Sequence, residues 1–474
     1  MGALLSNPGD FVAPKPFAWL LVIVLPFGLF FYLTWQGLRV DAAIMIAIVS
    51  ITMVCWLFSL MADFIPALLA LLLLMVFGLV PNDVALSGFS SNGFLIAFSI
   101  MGLGAAITTS GLANRYTLWL LKTIPANTFA YQSAIFFTGF LLNPVVPTIT
   151  ARAALVGPVL NSICDHLSDK DRREASDILY LSGLDGINIL SPVFLTAAPA
   201  NLMVFALLPV QEQAEYQFLS WMVSASLAGA VLLISYFLLS AFFLKGYCRM
   251  DIEKTEIERR WQALEKMNWS EWTTLFSTII LIICIATGSI HKISIPVISF
   301  FVICFLLVTG ALPRREFVEK IDWAFLFFMA SMTGFMAGVT YMGLDKELAA
   351  TFLELKDFMR MDFGKFVLLL SGITLLVRLF IPLNPAILIL SVAFLPMAAG
   401  AGISPWVVGF IILMMSETAF FGYQSPYILF FRNLTLGHVT YSEVKVRIFH
   451  GLMVLAKLAA IFLSIPFWQK TGVL

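Results

Sequence analysis

The sequence predicts an all-α polytopic membrane protein with about 11 transmembrane helices, the number of bilayer-length apolar runs. They fall in two inverted repeats, each with a re-entrant hairpin and a broken helix. Three observations predict this. The 474-residue chain is 60% hydrophobic and 12% charged, whereas soluble domains carry roughly 25% charged residues. Apolar runs long enough to cross a bilayer recur along the whole sequence. One proline pattern occurs twice, as Pro144-x2-Pro147-x10-Pro158 and as Pro382-x2-Pro385-x10-Pro396. Proline removes a backbone donor and breaks helix continuity. Two such breaks at matching places in a hydrophobic chain point to a transporter binding site.

Composition narrows the function. The formal net charge is +0, so nothing suggests nucleic acid. Cys55, Cys164, Cys284 and Cys304 lie in or beside apolar runs and read as small core hydrophobes. The histidines, His166, His291, His438 and His450, have no metal-ligand spacing. No cofactor and no resident metal are expected, sodium as a coupling ion aside. Residues 1–16 lack a basic n-region and a small-residue cleavage site, so no signal peptide is expected.

In order, the spans of the first half are 17–35, 42–58, 62–80 and 92–112. Residues 115–123 are short and amphipathic, with Arg115 and Lys122 near their ends. The runs 127–142 and 150–165 flank the first proline turn and are each too short to span; together they predict a hairpin entering and leaving on one side. A basic loop at 165–174 leads into 177–208, a run interrupted by Gly183, Asp185, Gly186, Asn188, Pro192, Pro199 and Asn201. The span 217–245 follows. Residues 246–270 are charged throughout and read as a solvated amphipathic linker. The second half repeats the plan at 271–288, 292–310 and 322–343, an amphipathic piece at 345–361, and hairpin arms at 364–381 and 386–400. A broken run at 403–431 and a last span at 446–467 complete it. The organisation is thus 1–41 as N-terminal segment and first span, 42–245 as the first repeat, 246–270 as cytoplasmic linker and 271–474 as the second repeat.

Lys and Arg placement gives the orientation. Arg115/Lys122, Lys170/Arg172/Arg173, the linker, Arg314/Arg315 and Arg432/Lys445/Arg447 fall on one side, which is cytoplasmic by the positive-inside rule. The N-terminus is then inside and the C-terminus outside. The first hairpin opens from the cytoplasm and the second from outside. Lys346, Lys356, Arg360 and Lys365 dissent, falling outside.

The candidate chemistry sits at the breaks. Helix N-termini attract anions, and the segments starting at 150 and 386 both begin at hairpin tips. Thr148 and Thr150 add hydroxyls there and Asn384 an amide, as ligands or as helix caps. Arg152 follows the first tip and Arg378 precedes the second. A charge in an apolar run is costly and is usually paired or functional. Either arginine could clamp a carboxylate bidentately, pair with Asp185 or Glu417, or snorkel. Asp185 and Glu417 could bind a coupling cation, take up a proton or neutralise the arginines. Asn188 and Gln424 lie beside them. The stretches Ala197-Ala198-Pro199-Ala200-Asn201 and Gly422-Tyr423-Gln424-Ser425-Pro426-Tyr427 could unwind within the membrane and present carbonyls to a cation, or serve as hinges.

These residues carry a resemblance. The chain resembles the divalent-anion/sodium symporter family, within the broader ion-transporter group, over most of its length. Pro147-Thr148-Ile149-Thr150-Ala151-Arg152-Ala153 stand where that family places a Pro-Ser-Asn-Thr-Ala-type tip. Thr196-Ala197-Ala198-Pro199-Ala200-Asn201 resemble its unwound helix, and Gln424-Ser425-Pro426-Tyr427 the matching break. The resemblance implies substrate contacts at Thr148, Ile149, Thr150, Pro199, Asn201, Asn384, Ser425 and Pro426. It also implies sodium coupling, a transport part moving against a scaffold (62–112 and 292–343), and a homodimer. The chain departs from the family pattern at Ile149 and Ile387, where the tip asparagines would stand.

The expectation is a secondary active transporter of a small anion, dicarboxylate-like or inorganic oxyanion, working by alternating access in the inner (plasma) membrane. Sodium symport is the family's coupling; proton coupling or exchange through Asp185 and Glu417 is the alternative. An anion channel would need a continuous polar pore. An enzyme would need a nucleophile–base pair or a metal constellation, and neither is visible. A non-transporting relative is the remaining rival.

Overall fold

The computed structural model describes residues 15–58, 60–62, 64–123, 127–144, 146–165, 167, 169–243, 255–286, 293–344, 353–381, 383–418 and 425–474. The regular elements described are all helices. Among the described residues, 8 helices are long and apolar enough to cross a membrane, and shorter apolar ones accompany them. The first, Lys15–Trp35, shows Leu20, Ile23, Phe27 and Phe31 to its surroundings, each at least half exposed. Such a surface belongs in lipid, where a helix satisfies its own backbone and needs no polar face. The chain is an integral membrane protein.

Four helices interlock across the two halves of the sequence. Phe64–Val76 packs on Trp323–Tyr341, and Asn92–Ser110 packs on Ile295–Val308. Glycines permit the closest approaches. A Cβ on Gly88 would stand 1.9 Å from the Ala330 carbonyl oxygen, and one on Gly334 would stand 1.9 Å from that of Ala85. Small residues serve this purpose in membranes, where van der Waals packing drives helix association.

The two proline turns form hairpins. The first joins Thr128–Leu142 to Ile149–Asp165, and the second joins Phe363–Phe380 to Leu383–Ala401. The Asn127 side chain caps the first inbound arm through Ala130 N, and Asp362 caps the second through Lys365 N. Each outbound arm packs against the second piece of the other half's broken helix: Ile149–Asp165 on Pro426–Thr435, and Leu383–Ala401 on Pro199–Leu207.

The first broken helix differs from expectation in where it breaks. The first runs Asp169–Gly186, passes through turns and two short 3-10 stretches at Ser191–Val193 and Leu195–Ala197, and resumes as Pro199–Leu207. The unwound stretch is therefore 187–198, with Asn201 already inside the second piece. Pro192 and Pro199 explain the interruption, since neither can donate to a preceding turn. The second pauses after Pro405–Ser416 and resumes at Pro426; residues 419–424, including Gln424, lie outside the described residues.

The last helix, Glu443–Thr471, lies along Phe218–Phe243. The described part of the linker is mostly exposed, as its charge suggests. Its helix Thr255–Gln262 rests on the amphipathic helix Leu112–Thr123, with Lys122 Nζ 5.6 Å from the Trp261 ring centroid. Arg115 bonds Glu271 at 2.8 Å beside it.

Candidate functional site

Arg152 and Arg378 do the same job in the two halves. Arg152 donates to Asn143 Oδ1 at the first tip, and through Nη2 to Ser191 Oγ in the first break at 3.0 Å. Arg378 donates through Nη1 to the Ile381 carbonyl at the second tip (2.8 Å) and through Nε to the Ser416 carbonyl at the second break (3.0 Å). Its Nη2 reaches Ser425 Oγ at 3.4 Å. Both are fully buried. Each guanidinium therefore ties a hairpin tip to the helix break of its own half. The planar fork suits this, because it serves several fixed acceptors at once.

Further bonds tighten the first tie. Asn143 Nδ2 donates to the Gly186 carbonyl at 3.1 Å, and Thr196 Oγ1 to the Pro144 carbonyl at 2.7 Å. Gly139 and Gly186 touch: a Cβ on Gly139 would stand 2.6 Å from the Gly186 carbonyl carbon. Asn201, expected at the substrate, instead donates to the Ser191 and Phe194 carbonyls at 2.8 and 2.9 Å and holds the break's shape. Pro199 and Pro426 open the second helical pieces.

The acids face a small cavity of ≈ 20 Å³, lined among others by Asp185, Asn188, Glu417, Thr418, Tyr427, His450 and Lys457. That volume holds about one water-sized particle. Asp185 Oδ1 lies 3.1 Å from His450 Nε2, Asn188 Nδ2 donates to Tyr427 Oη at 2.7 Å, and Lys457 Nζ donates to Thr418 Oγ1 at 3.0 Å. Among the described residues, Asp185 Oδ2, Asn188 Oδ1 and both Glu417 oxygens are buried without a hydrogen-bond partner. Glu417 lies within electrostatic reach of Lys457, Arg378 and Arg152. Lys457 and the two carboxyl groups of Asp185 and Glu417 thus share one cavity wall.

A second, larger cavity of ≈ 570 Å³ separates the first hairpin from the interlocked helices. Thr148 and Thr150 line it, with Pro147 and Ala151, opposite Gly104, Thr108, Lys320 and Asp322. Ile149 is not on this wall. Its side chain is buried in the apolar core. Asn384 is half-buried in the first turn of the second outbound arm and lines neither cavity.

Sequence reasoning missed Lys457, His450, Asn143, Ser191 and Tyr427. Lys457 carried the signal that singled out the arginines, a charge inside an apolar run. His450 was weighed only as a metal ligand. Asn143 and Ser191 are ordinary polar residues whose meaning appears only once the arginine reaches them.

The comparisons agree with this architecture. A family model described as the sodium:sulfate symporter transmembrane region matches residues 15–465. An inner membrane protein, YbhI, of Escherichia coli is 28% identical over 161 residues, covering 33% of this chain and 34% of that one. An L-tartrate/succinate antiporter of Escherichia coli is 28% identical over 142 residues, 29% of this chain and 28% of its own. A membrane protein of Cupriavidus necator is 24% identical over 315 residues, 61% and 60% of the two chains. Each of these matches covers less than two thirds of the relative's length. Among solved structures, the YdaH transporter of Alcanivorax borkumensis aligns with a TM-score of 0.55 at 14% identity, over 82% of this chain and 88% of that one. That likeness speaks to the fold alone.

Proposed function

This chain belongs to the sodium:sulfate symporter transmembrane-region family, a family of transport proteins and not of enzymes, and from that premise we propose that it carries a small dianion across the inner membrane by alternating access. Sulfate, tartrate and succinate, named for the family and for one group of relatives, are the chemistry to test first. The observation that carries the reading is the ≈ 570 Å³ cavity at the first hairpin tip. It is of the size that small-molecule sites have. It is walled by two threonine hydroxyls at the N-terminus of the 17-residue outbound arm, where helix dipole and free N–H groups favour an anion. Lys320 on the facing wall is paired with Glu316 at 3.1 Å and stands with Asp322, so the hydroxyls and the helix terminus carry the attraction.

In this reading the two hairpin-bearing halves are inverted repeats, the N-terminus is cytoplasmic, and the cavity opens to the cytoplasm. The arginine ties make each tip and its helix break one rigid unit. The hairpins and broken helices then move together against the interlocked helices 64–110 and 295–341, as the transport part of a homodimer. Sodium coupling is the family's namesake, whereas anion exchange fits better a central cavity that already contains Lys457.

The test is thermal stabilisation of the purified protein by sulfate, tartrate, succinate and monoanion controls. A ligand that binds the folded state raises Tm by mass action. Stabilisation by one or more dianions, and not by monoanions, is expected. No shift with any anion would favour a non-transporting relative.

A further inference from the structure

We propose that the Lys457 ammonium stands in the central cavity as a covalently tethered cation, filling the role of a bound alkali ion, so that this cavity needs no sodium. The inference rests on the transporter reading and addresses its coupling. Lys457 is only 4% exposed, in the middle of the 29-residue last helix. Its known partner is a neutral hydroxyl, Thr418 Oγ1 at 3.0 Å. An ammonium has three donors, and a buried charge is costly unless compensated; Glu417 and Asp185 lie within its electrostatic reach.

What compensates it is the cavity wall. Asp185 Oδ2, Asn188 Oδ1 and both Glu417 oxygens are buried, have no hydrogen-bond partner among the described residues, and belong to residues that line the same ≈ 20 Å³ space. Carboxylate, amide and hydroxyl oxygens converging on one water-sized volume are what a hard cation selects. The charged and titratable groups facing it are Asp185, Glu417, Tyr427 and His450 on the wall, with Arg152 and Arg378 behind Glu417. A sodium ion added beside Lys457 would place two positive charges in a space for one. A tethered cation cannot leave with the substrate, so this cavity supplies no ion gradient. Exchange of one dianion for another is the mode of transport that requires none.

The test measures Tm of the purified full chain in sodium chloride and in choline chloride at equal ionic strength, without any transported anion. The wild type should give the same Tm in both salts. Lys457→Ala, which vacates the cavity and leaves its oxygens, should show a Tm that climbs with sodium and not with choline. The double variant Lys457→Met/Glu417→Gln, which removes both opposed charges, should fold and ignore sodium. A sodium-dependent Tm in the wild type or the double variant overturns the proposal. So does a folded Lys457→Ala variant indifferent to sodium. Because no dianion is present, these outcomes are independent of whether the protein proves to transport one.

Discussion

Asp185 and His450 lie 265 positions apart in sequence, and their side chains meet at 3.1 Å. Asp185 sits at the end of the first piece of the first broken helix and His450 near the start of the last helix. The pair therefore couples the two halves of the chain at the central cavity. Asp185→Asn and His450→Ala should each destabilise, and the double variant should cost less than their sum. A coupling of about 1–3 kcal/mol is expected for residues in direct contact. Additive losses in a denaturation double-mutant cycle would mean that the two do not act as a pair.

The arginine ties make a prediction of their own. Arg152→Lys keeps the charge but cannot serve Asn143 and Ser191 together. It should lower stability by about 2–4 kcal/mol, since buried acceptors lose charge-assisted bonds. Ser191→Ala removes one of these acceptors and should cost less. Equal, negligible effects of the two on Tm would contradict the tie.

Glycine packing separates two glycines of the hairpins. Gly139→Ala would drive a methyl into the Gly186 backbone and should cost about 1–3 kcal/mol. Gly372 has no atom within 4 Å of where its Cβ would stand, so Gly372→Ala should be neutral or stabilise by about 0.5–1 kcal/mol through helix propensity. The comparison is read directly from Tm, and a loss at Gly372 matching that at Gly139 would rule the close contact out as its cause.

Glu212, in the loop helix Val210–Glu215, reaches into the second half. Its Oε2 accepts the Trp406 N–H at 2.9 Å and its Oε1 accepts Ser404 Oγ at 3.3 Å, capping Pro405–Ser416. Burial pushes its carboxyl from an ordinary 4.5 up to about 7. The folded state then holds a proton that the unfolded state has released, so the group's contribution favours folding below about 4.5 and is lost as pH rises through about 7. Relative to Glu212→Gln, the wild type should lose Tm over that window. Parallel pH profiles of the two proteins would contradict this.

Much of the fold was legible because a membrane simplifies the rules. Apolar runs marked the helices, and Pro144/Pro147 and Pro382/Pro385 marked both hairpin tips to within a few residues. The first break was misplaced toward Asn201 because polar residues drew the eye. The backbone leaves the helix earlier, after Gly186, where Asn143, Arg152 and Pro144 of the first hairpin supply partners to Gly186, Ser191 and Thr196. The site was only half legible. Asp185, Asn188 and Glu417 do share one cavity, and Thr148 and Thr150 another. The partners of the arginines were not deducible, because they are carbonyls and neutral side chains brought near by tertiary packing. Lys457 lies in the last span, where a lone charge in an apolar run carried the same signal as the arginines.

The most direct test of the central claim is uptake of labelled small dianions into proteoliposomes by the wild type and by a Thr148→Val/Thr150→Val variant. The account predicts saturable wild-type uptake and at least a tenfold loss in a variant of unchanged Tm, about 1.4 kcal/mol or more of lost binding. Failure of the wild type to take up any dicarboxylate or inorganic oxyanion, or full uptake by the variant, would contradict it.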